Sequence, residues 1–337
     1  MKVSKVLASF PALSSFLNKD RFTEDIKMKK IKVFAPATIA NVGPGYDILG
    51  LALEGVGEHL EMEFLDSDEI LIHPIPDYPD LPLSPDENIA GIVANAMLNQ
   101  LGGKQGLSIK IQKAVKPGSG LGSSGCTAAA TAFALNELLD NVFSPLELVE
   151  FAMLGEKATS GKAHADNVAA SLMGGFCIIK SYHPLEILSI PFPKDLQIVV
   201  VHPQIEVKTA DSKKILKKEM VLPDVITQMG NIAALISGLT TSNFDWIKSG
   251  MNDLIAEPIR SYLIPGFNQA KSIAMENGAL GCSISGSGPS IFAFFENEKQ
   301  AKNVGEKWKQ FYADLEIDSK IYLSKINPKG THKIEAS

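Results

Sequence analysis

The chain has 337 residues, of which 45% are hydrophobic and 21% charged, with a formal net charge of −6 and a pI near 5.6. This composition is typical of a globular protein with one large core or, more typically, two. The acidic balance and the absence of a long apolar run argue against nucleic-acid and membrane partners. Three widely spaced cysteines without a Cys-x-x-Cys pair argue against a disulfide framework and a zinc site, so a reducing cytoplasm fits best.

Residues 1–27 weakly resemble a signal peptide, because Lys2 and Lys5 precede an apolar stretch from Val6 to Leu17. Pro11 and the serines interrupt that stretch, and no small-residue cleavage site follows it. We interpret these residues as a disordered extension, or as an over-called start with Met28 as the true one, and exclude them from the fold.

A short strand is predicted at Ile31 to Ala35, followed by a loop from Pro36 to Asp47 that contains two prolines and two glycines. Asn41 and Asp47 in this loop are of the type that often satisfies its own backbone in ordinary turns. The length of the loop, and the apolar run that follows it, favour a functional role instead.

Alternating residues at 59–64, 69–73 and 107–112 predict further strands of a largely antiparallel sheet. Ser84-Pro-Asp-Glu87 has the pattern of a capping box and predicts the start of a helix that ends near Gly102.

The segment Lys116 to Thr127 is the most distinctive in the chain, with four glycines and three serines in the eight residues 118–125. Such a composition indicates a loop selected for its backbone shape and exposed amides. The Ala- and Leu-rich run from Ala128 to Leu139 predicts a helix directly after it. Because free N–H groups and the positive end of a helix dipole meet at this junction, we predict a phosphate-binding loop for a nucleotide.

Other interpretations of this loop fit less well. A turn with a serine cap is simpler, but the length and the number of glycines disfavour it. Gly120 to Gly125 also matches the dinucleotide fingerprint, and Asp140 lies at the distance expected for its acidic residue. The preceding strand, however, alternates in polarity, whereas a Rossmann turn follows a buried parallel strand. Asp140 would moreover end a helix and not a second strand. A Walker loop is absent, because Gly155 to Lys162 has one residue too many and Ala163 replaces the Ser or Thr that would bind magnesium.

A second polar cluster runs from Gly155 to Asn167, after a helix that a capping box at Ser144 to Glu147 predicts through Met153. It contains Glu156 and, eight residues later, His-Ala-Asp-Asn. Glu156 alone would be read as a solvated residue at a helix end. The cluster as a whole is too polar to be core.

The second half of the chain alternates predicted helices and strands. Strands are predicted at 174–179, 196–202, 280–285, 290–296 and 319–323, and helices at 212–220, 224–239, 244–255, 266–277 and 298–315. The segment Pro184 to Pro193 is interpreted as a connection between domains. Four of the strands suggest an antiparallel sheet backed by helices, a ferredoxin-like α+β layer. Between two of them, Ser285 to Ser290 forms either a simple tight hairpin or a functional glycine-rich loop.

At these residues the chain resembles the GHMP kinases, a family named for galactose, homoserine, mevalonate and phosphomevalonate. Pro117 to Ser124 matches the ATP loop of the family, Pro-x-x-x-Gly-Leu-Gly-Ser-Ser, with the proline one place closer to the glycines than in some members. Pro36 to Asp47 resembles the first motif in its homoserine-kinase form, Glu156 with His-Ala-Asp-Asn resembles the corresponding cluster, and Ser285 to Ser290 resembles the third motif. The resemblance extends over about residues 30–325.

The resemblance implies a set of site residues. Nucleotide binding is expected at Lys116, Pro117, Gly118, Ser119, Gly120, Leu121, Gly122, Ser123, Ser124, Gly125 and Cys126. Magnesium is expected at Glu156 and Ser124, with Ser123 as the substitute. Catalytic roles are expected for Asp166, where related kinases carry a base, for Asn167, which would orient the hydroxyl, and for Glu156. Substrate binding is expected at Asn41, Asp47, His164, Lys213, Arg260, Gly286, Ser287 and Gly288.

The substrate charges would be met by Asp47 at an ammonium group and by Arg260 with Lys213 at a carboxylate. One departure from the family concerns Lys213. Homoserine kinases usually carry Thr-x-Glu-Ala-Arg where this chain has Thr209-Ala-Asp-Ser-Lys213. Arginine binds a carboxylate bidentately and lysine only as a point charge, so the departure bears on substrate affinity or specificity.

The resemblance thus implies a two-domain α+β GHMP-kinase fold. We expect an N-terminal domain over 28–190, with a mixed or antiparallel sheet and the phosphate loop, a ferredoxin-like C-terminal domain over 191–326, and a tail at 327–337. The expected activity is ATP- and Mg²⁺-dependent phosphorylation of L-homoserine, which leads into threonine synthesis, by a cytoplasmic enzyme, and a homodimer is among the expected states. The alternatives are a GHMP kinase for another small alcohol such as mevalonate, and a nucleotide or amino-acid sensor without turnover.

Overall fold

The structure is a computed structural model that describes residues 29–161, 163–205, 212, 215–217 and 219–334. The predictions for residues 1–27 and for Lys213 lie outside these residues, as do residues 214 and 218 of the helix predicted at 212–220. Of the described residues of that predicted helix, Ser212 is helical, whereas residues 215–217, 219 and 220 are not.

The described residues contain two sheets and helices that cover them. The strands are β1 Lys30–Ala40, β2 Leu49–Leu65, β3 Ile70–Ile72, β4 Gly106–Lys113, β5 Phe176–Tyr182, β6 Leu185–Ile190, β7 Gln197–Pro203, β8 Gly281–Ile284, β9 Ile291–Phe295, β10 Ser319–Ser324 and β11 His332–Lys333. The helices are α1 Ile89–Gln100, α2 Ser123–Leu138, α3 Pro145–Ser160, α4 Asp166–Met173, α5 Leu222–Thr241, α6 Phe244–Gly250, α7 Glu257–Arg260, α8 Phe267–Glu276 and α9 Glu298–Asp314, with a 3₁₀ turn at Ser261–Leu263.

The first sheet has the strand order β11-β1-β2-β4-β3, and β5 joins it by pairing with both β2 and β6. Its pairs are antiparallel except for β3 with β4. The largely antiparallel sheet predicted from the alternating runs is therefore confirmed. Because β11 pairs with β1, the end of the described chain returns to this first sheet.

The second sheet is antiparallel, with the order β10-β7-β9-β8. Both of its faces are buried. Ile198 and Phe292 face the core of the first sheet, while Val199 and Ile291 pack with Trp308 of α9 in a second core. This explains why β7 and β9 are buried along their whole length and do not alternate in polarity. The predicted four-stranded α+β layer is confirmed.

Several predicted boundaries are wrong for identifiable reasons. Pro36 to Ala40 belong to β1, and a register shift after Pro36 accommodates the proline, so the loop begins only at Asn41. The helix predicted from Ser84 begins at Ile89, because the Asn88 side chain accepts a hydrogen bond from the Ala90 N–H at 2.9 Å.

The connection predicted at Pro184 to Pro193 is instead the strand β6, which pairs with β5. Its prolines flank the strand and remove no ladder hydrogen bond from it. The helix predicted over 244–255 ends at Gly250. The capping box at Ser144 is confirmed, but α3 continues to Ser160 and therefore includes Glu156.

Among the described residues, no helix combines the length and the apolar character needed to cross a membrane.

Candidate active site

A cavity of about 290 Å³ lies where the phosphate loop, the residues after β1 and the β8–β9 hairpin meet. We call residues 41–48 the N-terminal loop and residues 285–290 the hairpin loop. The cavity is lined by residues of all three loops and of the second polar cluster. Among the predicted site residues, its lining includes Asn41, Asp47, Pro117, Gly118, Gly120, Gly122, Ser123, Ser124, Glu156, His164, Asp166, Asn167, Arg260, Gly286 and Ser287.

Hydrogen bonds fix the phosphate loop between β1 and the hairpin loop. The Leu121 carbonyl accepts from the Thr38 N–H at 3.1 Å, and the Ser119 carbonyl accepts from the Ser290 N–H at 3.2 Å. The Ser285 hydroxyl donates to the Gly120 carbonyl at 2.7 Å. Gly120 has a φ of +82°, and a Cβ there would overlap the hairpin loop. Glycine is therefore required for this close approach.

The N-terminus of α2 lies in the lining of the cavity. Gly122 precedes the helix in the left-handed conformation, and no side chain among the described residues caps this terminus. A Cβ on Gly118 would meet nothing within 4 Å, so the loop is open on that side. Uncapped N–H groups and the helix dipole favour an anion at this position. The geometry is that of a phosphate site.

A buried ionic network lies beneath the phosphate loop. Glu58 of β2 and Lys113 of β4 face each other in the register of the sheet, with Lys113 Nζ 2.6 Å from Glu58 Oε1. Lys113 also donates to Thr127 Oγ1 at 2.7 Å, and Ser123 and Thr127 donate to the Glu58 carboxylate at 3.0 and 2.7 Å. All four side chains are buried. The network ties the first turn of α2 to the first sheet.

This network was not predicted, although the sequence carries a signal for it. Glu58 is in phase with the buried residues Leu60 and Met62 of β2, and Lys113 is in phase with Ile109 and Ile111 of β4. The alternation of buried and exposed residues along the two strands would have placed both charges on the buried face of the sheet, where they must pair.

The network also distinguishes the two serines of the phosphate loop. The Ser123 hydroxyl is engaged with Glu58, Lys113 and the Val115 carbonyl. Ser124 lines the cavity with Glu156 of α3, whose side chain is buried. Ser123 is thus held by the network, whereas Ser124 takes no part in it.

Asp166 and Asn167 begin α4 at the centre of the cavity. Thr38 Oγ1 donates to Asn167 Oδ1 at 2.7 Å and so orients the amide. The Asp166 carboxylate accepts from the Asn167 N–H at 2.8 Å. Burial raises the pKa of Asp166 from 3.8 to about 6, with His164 opposing and Asp47 adding to the shift. A carboxylate with such a pKa is suited to accept a proton near neutral pH.

An anionic group of the N-terminal loop lies beside Asp166. Asp47 Oδ1 is 3.4 Å from His164 Nδ1. Tyr182 joins the two segments, because its hydroxyl donates to the Asp47 carbonyl at 3.1 Å and accepts from the Ala165 N–H at 3.3 Å. Asn41, Val42 and Asp47 all have positive φ, a conformation that costs non-glycine residues energy and is concentrated at functional sites.

Arg260 enters the cavity from the C-terminal domain. Its side chain is buried, donates from Nη1 to the Gly286 carbonyl at 2.8 Å and lies over the Tyr46 ring at 5.2 Å. Asn41 Nδ2 donates to the same carbonyl at 2.9 Å. The cavity thus presents an acid and a guanidinium, which together match a ligand that carries both charges.

Part of the cavity lining is apolar and was not predicted. This part, which we call the apolar end, consists of Ile75, Leu81, Pro82, Ile89 and Ile111, and the unpredicted polar residues of the lining include Glu87 and Asn88. An apolar lining of this kind suits a planar ring. These residues come from short segments without a distinctive motif, so single-sequence reasoning had no signal for them.

Some predicted residues lie outside the cavity lining. They are Lys116, Ser119, Leu121, Gly125, Cys126 and Gly288. Three of them are buried, namely Ser119, Leu121 and Cys126, and the Cys126 thiol donates to the Pro36 carbonyl at 3.2 Å. Their side chains therefore pack beneath the phosphate loop and not in the cavity.

Comparison with protein families agrees with this architecture. The model described as "GHMP kinases N terminal domain" matches residues 88–175, and "GHMP kinases C terminal" matches residues 233–314. The fold and the three loops define a GHMP kinase.

Comparison with individual proteins shows to which family of GHMP kinases the chain belongs. A homoserine kinase of Chloroherpeton thalassium is 38% identical over 90% of this chain and 99% of its own length. The crystal structure of a homoserine kinase from Cytophaga hutchinsonii is 42% identical, with a TM-score of 0.87, and the match covers 90% of this chain and 97% of that one. The chain belongs to the homoserine kinase family. A mevalonate kinase from L. major, solved with R-mevalonate, is 17% identical with a TM-score of 0.68 over 90% of this chain and 97% of that one, which shows a shared fold alone.

The buried network generates a stability prediction. Glu58→Gln should lower the free energy of unfolding by about 3 kcal/mol or more, because it leaves the Lys113 ammonium buried without its partner charge. The double variant Glu58→Gln/Lys113→Met should lose less than Glu58→Gln alone, since no unpaired buried charge remains. Urea unfolding in the absence of ligand measures both, and a larger loss in the double variant would contradict the pairing.

Proposed function

We propose that this protein transfers the γ-phosphoryl group of ATP to the side-chain hydroxyl of L-homoserine, forming O-phospho-L-homoserine in the step that leads into threonine synthesis. The observation that carries the proposal is a single cavity that joins a phosphate loop to a pocket with an acid and a guanidinium. Membership of the homoserine kinase family supports the same reaction. The cytoplasmic location and the homodimer remain predictions from the sequence.

The nucleotide is assigned along the length of the cavity. The adenine ring would occupy the apolar end near Ile89, and the phosphates would accept hydrogen bonds from the backbone of the phosphate loop and the start of α2. The dinucleotide alternative has no support in the fold, because the strand before the loop, β4, is antiparallel to β2 and belongs to no Rossmann crevice.

Magnesium fits the residues present. Glu156 and Ser124 supply oxygen donors beside the phosphate loop, and Mg²⁺ typically binds one or two carboxylates together with substrate phosphates. The described residues contain no group of three or more His, Cys, Asp or Glu side chains that could hold a metal by themselves. When bound, the ion would neutralise charge on the transferred phosphoryl group.

Homoserine would lie between the two domains. Its ammonium would pair with Asp47 and its carboxylate with Arg260, so that its hydroxyl points towards Asp166 and the phosphate loop. Asn167, oriented by Thr38, would donate to the hydroxyl or to the phosphoryl oxygens, and the Asp166 carboxylate would accept the hydroxyl proton. Mevalonate carries a carboxylate but no ammonium, so it would offer no positive charge to Asp47.

The metal assignment predicts that Glu156→Gln abolishes turnover without unfolding the protein, because a carboxylate ligand is lost while the side-chain volume is kept. Glu150→Gln is the matched control on the same helix, since Glu150 lies outside the cavity lining and should leave kcat unchanged. Steady-state assays over a magnesium titration, with melting temperatures for both variants, test this. Near-normal phosphorylation by Glu156→Gln at saturating ATP and magnesium would remove Glu156 from the site.

The raised pKa of Asp166 predicts the acidic limb of the pH profile. The carboxylate must be ionised to accept a proton, so kcat/KM for homoserine should fall as the pH decreases through about 6. Asp166→Asn should reduce kcat by at least about 100-fold, and its residual activity should lack that limb. A profile that is identical in shape for both proteins would exclude Asp166 as the titrating group.

The charge assignment predicts substrate-specific losses. Asp47→Asn should lower kcat/KM for homoserine by about two powers of ten or more, because the buried ammonium loses its partner charge. Arg260→Ala should do the same from the carboxylate side. The Kd for ATP, measured calorimetrically on both variants, should stay unchanged. Unaltered homoserine kinetics in Asp47→Asn would defeat the substrate assignment and leave the kinase assignment intact.

A further inference from the structure

A buried pair outside the cavity, Gln228 of α5 and Asp253, connects the two halves of the pocket. Gln228 Nε2 donates to Asp253 Oδ1 at 2.9 Å and to the Pro44 carbonyl of the N-terminal loop at 2.6 Å. Gln228 Oε1 accepts from the Leu254 N–H at 2.8 Å. Both side chains are nearly inaccessible to solvent, and neither lines the cavity. One amide thus joins the N-terminal loop to the turn at residues 253–254.

Asp253 organises the start of α7. Its Oδ1 accepts from the Ile255 N–H at 2.9 Å, and its Oδ2 accepts from the Ala256 and Glu257 N–H groups at 3.0 and 2.8 Å. The carboxylate therefore fixes the direction in which α7 leaves the turn. Arg260 is the last residue of that helix, one turn further on.

The other end of the pair acts on the N-terminal loop. Pro44 lies in the same turn as Asp47, three residues earlier, and this loop holds several non-glycine residues in strained left-handed conformations. Such a conformation persists only where the surroundings enforce it. The hydrogen bond from Gln228 supplies one such restraint, and the bond from the Asp47 N–H to Asn41 Oδ1 at 3.1 Å supplies another.

We infer that Gln228, through Asp253 and Pro44, is a positioning residue that sets the separation between Asp47 and Arg260 and so the fit of an amino-acid substrate. The inference rests on the proposed function, because it takes those two residues as the partners of the ammonium and the carboxylate. Only a primary amide serves here. Its NH₂ group donates to two acceptors, the carboxylate and the carbonyl, while its oxygen accepts from a backbone N–H.

The experiment compares Gln228→Met and Gln228→Asn with a matched control. Methionine keeps the side-chain volume but donates no hydrogen bond, and asparagine is one methylene too short to span Asp253 and Pro44. Asn231→Ala is the control, since Asn231 lies almost one turn further along α5 and donates to the Asn252 carbonyl at 2.8 Å without contacting the N-terminal loop. Initial rates with varied homoserine and varied ATP, together with melting temperatures, are measured for all four proteins.

Both Gln228 variants should raise KM for homoserine by about tenfold or more, with KM for ATP within about twofold of the parent and a smaller change in kcat. Asn231→Ala should leave both KM values unchanged. An unchanged KM for homoserine, an equal rise in KM for ATP, an equal effect of Asn231→Ala, or loss of the fold in both Gln228 variants would overturn the positioning role. A parent protein that does not phosphorylate homoserine would instead refute the proposed function, so the two failures are distinguishable.

Discussion

The site depends on the hydrogen bonding of the phosphate-loop backbone to segments that are distant in the sequence. The Leu121 carbonyl accepts from β1, and the Gly120 and Ser119 carbonyls accept from the hairpin loop, about 165 residues further along the chain. The hairpin loop in turn donates from the Gly286 N–H to the Ala40 carbonyl at 3.1 Å. Since β1, the phosphate loop and the hairpin loop are hydrogen-bonded to one another, the backbone of the phosphate loop is oriented before any ligand binds, which is the preorganisation that phosphoryl transfer requires.

The charged residues around the phosphate loop fall into two groups, one beneath the loop and one in the cavity. The Glu58–Lys113 pair satisfies itself beneath the loop, so it fixes α2 without placing a net charge under the phosphates. In the cavity, by contrast, Asp47 and Arg260 come from the N-terminal loop and from α7, and Asp166 is buried with a raised pKa. An acid and a guanidinium that line one cavity favour a ligand that carries both charges. The Glu58–Lys113 pair thus serves the structure, while the charged groups of the cavity lining face the ligand site.

The elements predicted correctly are those with a local signal. The glycine-rich loop, the capping box at Ser144 and the strands of the second sheet each depend on neighbouring residues, and most strand positions agree with the structure to within a few residues. The family motifs brought Asp47, Glu156, Asp166 and Arg260 into one set, and the structure places all four around one cavity.

The elements predicted incorrectly depend on distant contacts. The strand β6 was missed because prolines flank it, and α1 begins at Ile89 because the side chain of Asn88, and not that of Ser84, caps its first turn. The apolar end of the cavity and the pair Gln228–Asp253 have no sequence motif. Gln228 acquires its role only because α5 packs beside a loop that is 184 residues earlier in the chain. Such contacts are set by tertiary structure and cannot be read from periodicity or propensity.

The central claim is that one cavity selects an amino acid with a side-chain hydroxyl and phosphorylates it from ATP. The most direct test supplies the protein with ATP and Mg²⁺ and with homoserine, serine, threonine or mevalonate in turn, and identifies each phosphorylated product by mass spectrometry. The account predicts O-phosphohomoserine, with a kcat/KM for homoserine at least about 100-fold above that for the other three alcohols. A higher kcat/KM for mevalonate, or binding of ATP without phosphorylation of homoserine, would contradict it.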